Sequence, residues 1–206
     1  MKSLISVIYA SRATQEFHEH EIPDLLKQAR LANAAATLGT GLREASADTG
    51  IDVLTLGGTK NGLLFGEAVI FLNPASHGGA AAFVQKQAMQ LASKMRYVAA
   101  QFEALLTDDR WLRYAKHSNA MAQRLHERIV NLDGLRITRP VRCNAIFATL
   151  SRAAVAQLQR EYKFYVFDEM LPEVRWMTHW ATTESDVDAF ADAIKAALRQ
   201  SSQGSD

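Results

Sequence analysis

The chain has 206 residues, 48% of them hydrophobic and 22% charged, a balance that describes a folded globular protein of one domain, or one and part of a second. Lys and Arg number 23 against 22 Asp and Glu, so the net charge of +1 offers no basic excess for nucleic acid and no acidic tail. A lone Cys143 excludes an internal disulfide framework and any multi-cysteine zinc site, and it suits a reducing, cytoplasmic setting.

In chain order, Leu4 to Tyr9 is rich in β-branched residues and reads as a buried strand. The stretch is too short for a secretory signal, and apolar runs such as Ala68-Val-Ile-Phe-Leu72 are far below membrane-spanning length. After Pro23, the spacing of Leu25, Leu26, Ala29, Ala32, Asn33 and Ala36 predicts a helix that stops at Gly39. Ile51 to Leu56 reads as a short buried strand ending in the turn Gly57-Gly-Thr-Lys-Asn-Gly62. A second strand, Ala68 to Leu72, closes at Asn73-Pro74.

From Ala81 to about Leu106 the pattern is helical throughout, with Phe83, Met89, Met95, Val98, Phe102 and Leu105 as expected core positions. A second long helix runs from Trp111 to about Val130. Beyond it, strand-like runs at 136–138, 145–150, 164–167 and 174–178 alternate with a helix around 153–162 and a last helix from Glu184. Thr182 to Asp186 supplies several N-caps for that last helix. Trp111, Trp176 and Trp180 read as core anchors. The expected organisation is residues 1–75 as the end of an α/β unit, 76–107 as a connecting helix, 108–200 as a compact α+β domain and 201–206 as a tail.

The turn at 57–62 carries the most chemistry. Its glycines let backbone and ligand approach closely, and Lys60 stands where a strand ends. Lysine is the residue that forms a Schiff base with pyridoxal phosphate, but a tight turn with a solvated lysine satisfies the same residues. Other signals stay plain. His18 and His20 lack a nearby third metal ligand, so no metal is expected. His117, His126 and His179 read as helix-surface or partly buried histidines, Cys143 as structural, and Asp186, Asp188 and Asp192 as a solvated helix face.

Several ordered segments decide between the readings of Lys60. Asp52-Val-Leu-Thr-Leu-Gly-Gly-Thr-Lys-Asn-Gly-Leu-Leu-Phe-Gly-Glu-Ala-Val-Ile-Phe71 resembles the lysine segment of the aromatic amino acid beta-eliminating lyase/threonine aldolase family. The likeness continues through Lys86–Arg96, Ala115–Ala122, Asn144-Ala-Ile-Phe147, Glu173–Trp180 and Thr183–Phe190, with weaker echoes at Ser11–Thr14 and Arg30–Ala34. The resemblance implies the type I pyridoxal-phosphate fold, an α/β architecture with a remnant of the large domain and a whole small C-terminal domain. It implies pyridoxal 5′-phosphate held at Thr59 and Lys60, and Arg175 and Arg30 on the substrate carboxylate. The implied reaction is cleavage of a β-hydroxy-α-amino acid, threonine or allo-threonine, to glycine and an aldehyde. It implies a homo-oligomer, or association with a longer relative, with no nucleic-acid or membrane partner.

The departures from the family pattern are informative too. Counting back from Arg30 along the family's His-x-Asp-Gly-Ala-Arg motif, Lys27 stands in the place of the aspartate and Leu25 in that of the histidine. The aspartate pairs with the cofactor's ring nitrogen, and a lysine there opposes its protonation. The expectation is that this segment and its strand are deleted. The phosphate-binding loop and the histidine that stacks on the cofactor ring are expected to be missing with the front of the fold. A shortened, catalytically inactive relative acting through oligomer contacts is the alternative.

Overall fold

The computed structural model describes residues 25–73, 78–90, 92–168 and 170–203. The expected strand at 4–9, the Ser11–Thr14 segment, His18, His20, Pro23 and Pro74 lie outside the described residues. The chain divides into two compact units, one running to Arg113 and the other from Tyr114.

In the first unit, β1 (Leu25–Gln28), β2 (Val53–Gly57) and β3 (Glu67–Phe71) form a sheet in the order β1-β2-β3. β1 runs parallel to β2, with Lys27 opposite Thr55, and β3 returns antiparallel, with Gly57 opposite Glu67. This corrects two expectations. Leu25 and Leu26 belong to a strand rather than to a helix, and the strand before Arg30 is present rather than deleted. Residues with adequate helix propensity take the extended form because β2 offers its edge to them.

Helix α1 (Leu31–Leu38) begins after that strand and buries Leu31, Ala32, Asn33 and Ala35. It ends where predicted: Gly39 takes φ 67°, and its N–H bonds the Ala35 carbonyl. Helices α2 (Gly78–Met89) and α3 (Arg96–Leu106) occupy the stretch expected to be one continuous helix. Between them Gln90 and Lys94 have φ 58° and 67°, a left-handed backbone that cannot continue an α-helix. Of the expected core positions there, Leu105 is buried, Val98 and Phe102 are half-buried, and Phe83 and Met95 are exposed.

Helix α4 (Arg110–Ile129) runs from the first unit into the second. The second unit adds β4 (Arg136–Ile137), β5 (Ala145–Thr149), α5 (Arg152–Leu158), β6 (Tyr165–Asp168), β7 (Glu173–Met177) and α6 (Glu184–Gln203). The strands form an antiparallel sheet in the order β4-β5-β7-β6. Side chains alternate across such a sheet, and the alternation sets its core. Ile146 and Ala148 of β5 sit opposite Trp176 and Val174 of β7, and all four are buried against the helices. Met121, Ala122, Leu125 and Ile129 of α4, and Val187, Ala191, Ile194 and Leu198 of α6, recur at helical spacing on the facing stripes. Phe164 and Phe190 meet Trp176 edge to face, with centroids 6.0 and 5.3 Å away. Trp180, expected as a third anchor, is 41% exposed and instead lies against Tyr114.

Buried polar groups join these layers. Thr178 donates its hydroxyl to the Ser118 carbonyl at 2.6 Å, and Asn144 Nδ2 donates to the Thr178 carbonyl at 2.7 Å. At the start of α6, the Thr183 Oγ1 accepts from the Asp186 amide, while Asp186 Oδ2 accepts from the Thr183 amide: a reciprocal cap. Asp188 does not stand free in solvent as expected, since Arg124 grips both of its carboxylate oxygens at 2.9 Å.

Candidate active site

Lys60 occupies the middle of a single helical turn, Thr59–Asn61, directly after β2. The turn is closed by its own backbone. The Gly58 amide bonds the Gly66 carbonyl at 3.0 Å, and the Gly58 carbonyl accepts from the amides of Asn61 and Leu63. Thr59 Oγ1 accepts from the Gly66 amide at 3.1 Å, so Thr59 holds the loop closed as well as flanking the lysine.

Two glycines here are closely packed. A Cβ on Gly57 would stand 2.9 Å from Glu67 Oε1 and 3.2 Å from the Ala29 Cα, and one on Gly58 would stand 2.3 Å from Leu63 Cδ2. Packing this close leaves the Lys60 side chain on the open side. It is exposed and has no hydrogen-bond or ion-pair partner among the described residues. A lysine amine in that position is free to react with a carbonyl.

The close approach of Gly57 to Ala29 also locates Arg30. β1 and β2 are parallel, so the turn at Ala29–Arg30 and the turn carrying Lys60 both follow the C-terminal ends of neighbouring strands. That edge of a parallel sheet is where such folds bind ligands. Lys60, Thr59 and Arg30 therefore share one edge of the first unit. Lys27 lies on β1 itself, two residues before the turn.

Arg175 belongs to the second unit. It is the middle residue of β7, on the face of the sheet away from Ile146, Val174 and Trp176, and it pairs across the strands with Phe147 and Tyr165. Its guanidinium lies 5.6 Å from the Phe167 ring centre, and Phe167 meets Phe147 edge-on at 5.1 Å. A second arginine shares this face. Arg139 stacks on Phe147 at 4.1 Å and donates to the buried Glu173 at 2.9 Å. Thr138 donates its hydroxyl to the other Glu173 oxygen at 2.5 Å.

The charge of Arg139 is thus answered within the sheet. Arg175 has no carboxylate partner among the described residues, and its Nε is buried without a hydrogen bond. A half-buried guanidinium held on an aromatic ring and lacking a counter-ion is suited to an incoming carboxylate. Sequence reasoning missed Arg139, Glu173 and Phe167. The period-two placement of 173, 175 and 177 on β7 was the available signal, but which strand lies alongside is not written locally.

A cavity of about 320 Å³ lies on the helix-covered side of this sheet, lined by Tyr162, Phe164, Trp176, Asp186 and Phe190 among others; Arg175 does not line it. Among the described residues no helix is long and apolar enough to cross a membrane.

The chain is similar to known proteins over most of its length. The beta-eliminating lyase family profile matches residues 4–153. The low-specificity L-threonine aldolase of Pseudomonas aeruginosa is 40% identical over 173 residues, covering 82% of this chain and 49% of that protein. The enzyme of the same description from a Pseudomonas species is 39% identical over 171 residues, again covering 82% and 49%. The chain therefore spans about half the length of the curated relatives it matches. Among solved structures, the threonine aldolase of Leishmania major superposes with a TM-score of 0.75 at 28% identity, over 90% of this chain and 55% of that one. The α/β architecture is that of the type I pyridoxal-phosphate fold, as the resemblance implied. By the reach of the family profile and by its identity to these relatives, the chain belongs to the beta-eliminating lyase family.

Proposed function

We propose that the chain takes pyridoxal 5′-phosphate on Lys60 and acts as an aldehyde-lyase of the threonine aldolase type, cleaving a β-hydroxy-α-amino acid to glycine and an aldehyde. One observation carries the reading: an exposed lysine, without a partner among the described residues, on a closely packed glycine turn at the C-terminal edge of a parallel strand pair. Its amine is the group that would hold the cofactor's aldehyde. When bound, the cofactor supplies a π system that spreads negative charge developing at the substrate Cα.

The resemblance also assigns parts to the chain's own residues. Arg175, stacked on Phe167 and without a carboxylate partner among the described residues, would grip the substrate α-carboxylate through two parallel N–H donors and fix its orientation. Arg30 stands at the Lys60 edge and is the second candidate for that carboxylate. Thr59 keeps the loop closed through Gly66. In the overall reaction the Cα–Cβ bond breaks, the β-hydroxyl gives up its proton as the aldehyde forms, and Cα gains a proton to become glycine.

By the resemblance, the residue types suit the cofactor at its aldehyde end and not at its ring-nitrogen end. The position where the resemblance sets an aspartate is Lys27 on β1, and a cation there opposes protonation of the ring. That substitution favours a second reading, a non-catalytic relative that acts through contacts with another chain. A homo-oligomer in the cytoplasm completes the proposal, resting on the resemblance and on the lone Cys143.

The test is an absorbance spectrum of purified protein with added pyridoxal phosphate, before and after borohydride, beside Lys60→Ala. A visible band that borohydride removes and the mutant lacks supports the lysine reading, and cleavage of threonine or allo-threonine then tests the activity. A wild-type spectrum identical to that of Lys60→Ala refutes it.

A further inference from the structure

Lysine carries its amine on a flexible four-carbon stem, so the amine is placed only as well as the backbone beneath it. For Lys60 that backbone is a single turn of three residues, and of the three only Asn61 points inward. Asn61 is 6% exposed, and its Nδ2 donates to the main-chain carbonyl of Trp111 at 3.2 Å, across fifty residues of sequence. Trp111 is itself buried in the first turn of α4, so the bond ties the lysine turn to the body of the unit. The other side of the loop is held by α3, where Gln101 Oε1 accepts from the Leu64 amide at 2.9 Å. That contact is exposed and lies four residues past the lysine. The Asn61 bond is adjacent to Lys60 and shielded from water.

We infer that Asn61 is a positioning residue for Lys60: its amide bond to the Trp111 carbonyl sets where the lysine amine stands, without touching the cofactor. The inference rests on the reading of Lys60 as the cofactor lysine and adds the residue that places it. A plain structural role predicts only that losing the bond loosens the unit as a whole. A positioning role predicts that Lys60 chemistry falls further than the fold does, because reaction at a carbonyl demands placement within a fraction of an ångström.

The experiment uses the full chain and two variants. Asn61→Leu keeps the shape and removes the donor, and Asn61→His restores an N–H at a similar reach. Each is mixed with pyridoxal phosphate, trapped with borohydride at timed intervals, and the adduct at Lys60 is quantified by peptide mapping. Hydrogen exchange of β2 and α4 in the same samples reports the fold. The expected result is that Asn61→Leu slows trapping at Lys60 about tenfold or more. Exchange in β2 and α4 should change less than that, and Asn61→His should recover most of the rate.

Trapping by Asn61→Leu at the wild-type rate overturns the inference, as does a loss no greater than the rise in exchange. If Asn61→Leu does not fold, Asn61→His decides alone: trapping within about threefold of wild type supports the role of the donor, and a larger loss in a folded protein overturns it. Absence of any Lys60 adduct in the wild type overturns the cofactor reading itself and so is distinct from either result.

Discussion

The tight packing of the lysine turn makes Gly58→Ala a sharp probe of the structure. Gly58 has φ −89° and ψ −31°, a backbone that alanine adopts without strain, so the whole cost is steric. The new methyl would sit 2.3 Å from Leu63 Cδ2 and 3.2 Å from both Leu63 Cγ and Phe102 Cε1. Leu63 is only 8% exposed and has little room to turn away. Overpacking of this kind costs about 1–3 kcal/mol.

Hydrogen exchange of β2 and β3 reads that loss locally, as amides opening about fivefold to 150-fold faster. The cause is checked by a double-mutant cycle. In a Leu63→Ala background the clashing carbon is gone, and the cost of Gly58→Ala should fall to within about 0.5 kcal/mol of zero. Equal costs in the two backgrounds would falsify the steric account. Gly79→Ala is the control: a Cβ at that helical position meets nothing within 4 Å, so it should be neutral or stabilising by up to about 1 kcal/mol.

Other outcomes follow from the second unit. Ile146→Ala empties a position 1% exposed at the centre of the sheet and should lower stability by about 2–5 kcal/mol in denaturant titrations, whereas Tyr165→Ala, on a residue 78% exposed, should change it by less than about 0.5 kcal/mol. Thr183→Ala removes the oxygen that caps α6 and should cost about 1 kcal/mol, read as faster exchange in the helix's first turn. Hydrogen bonding holds two aspartates below their ordinary value near 3.8: Asp188 chiefly through Arg124 and Asp186 chiefly through Thr183. A depressed folded value means stability present above about pH 4 and lost as pH falls through the lower folded values. Thermal unfolding of Asp188→Asn should therefore show a weaker acid dependence than wild type below pH 4, and an unchanged slope would count against the Arg124 contact. Arg175→Gln should leave any Lys60-dependent absorbance band in place while weakening binding of carboxylate substrates at least tenfold; equal binding would refute the carboxylate role proposed for Arg175.

What the sequence determined by itself was written in local chemistry. Glycines at 57, 58 and 62 and a lysine at a strand end mark the turn, Gly39 marks the end of α1, and the Thr183–Asp186 pattern marks the start of α6. The helical run from Trp111 to about Val130 marks the extent of α4. Each depends on residues within one or two turns of each other.

What tertiary structure decided depended on partners distant in sequence. Leu25–Gln28 becomes a strand because the edge of β2 lies alongside it. The helical stretch breaks at Gln90 and Lys94, where neither glycine nor proline gives notice. Arg139 and Glu173 come together across 34 residues, and Arg175 is left with no carboxylate partner among the described residues. Asn61 likewise reads as one more polar residue of a turn until α4 brings the Trp111 carbonyl to it. Short-range sterics and capping are set by neighbours in the chain, whereas strand pairing and charge balance are settled only when separate segments meet.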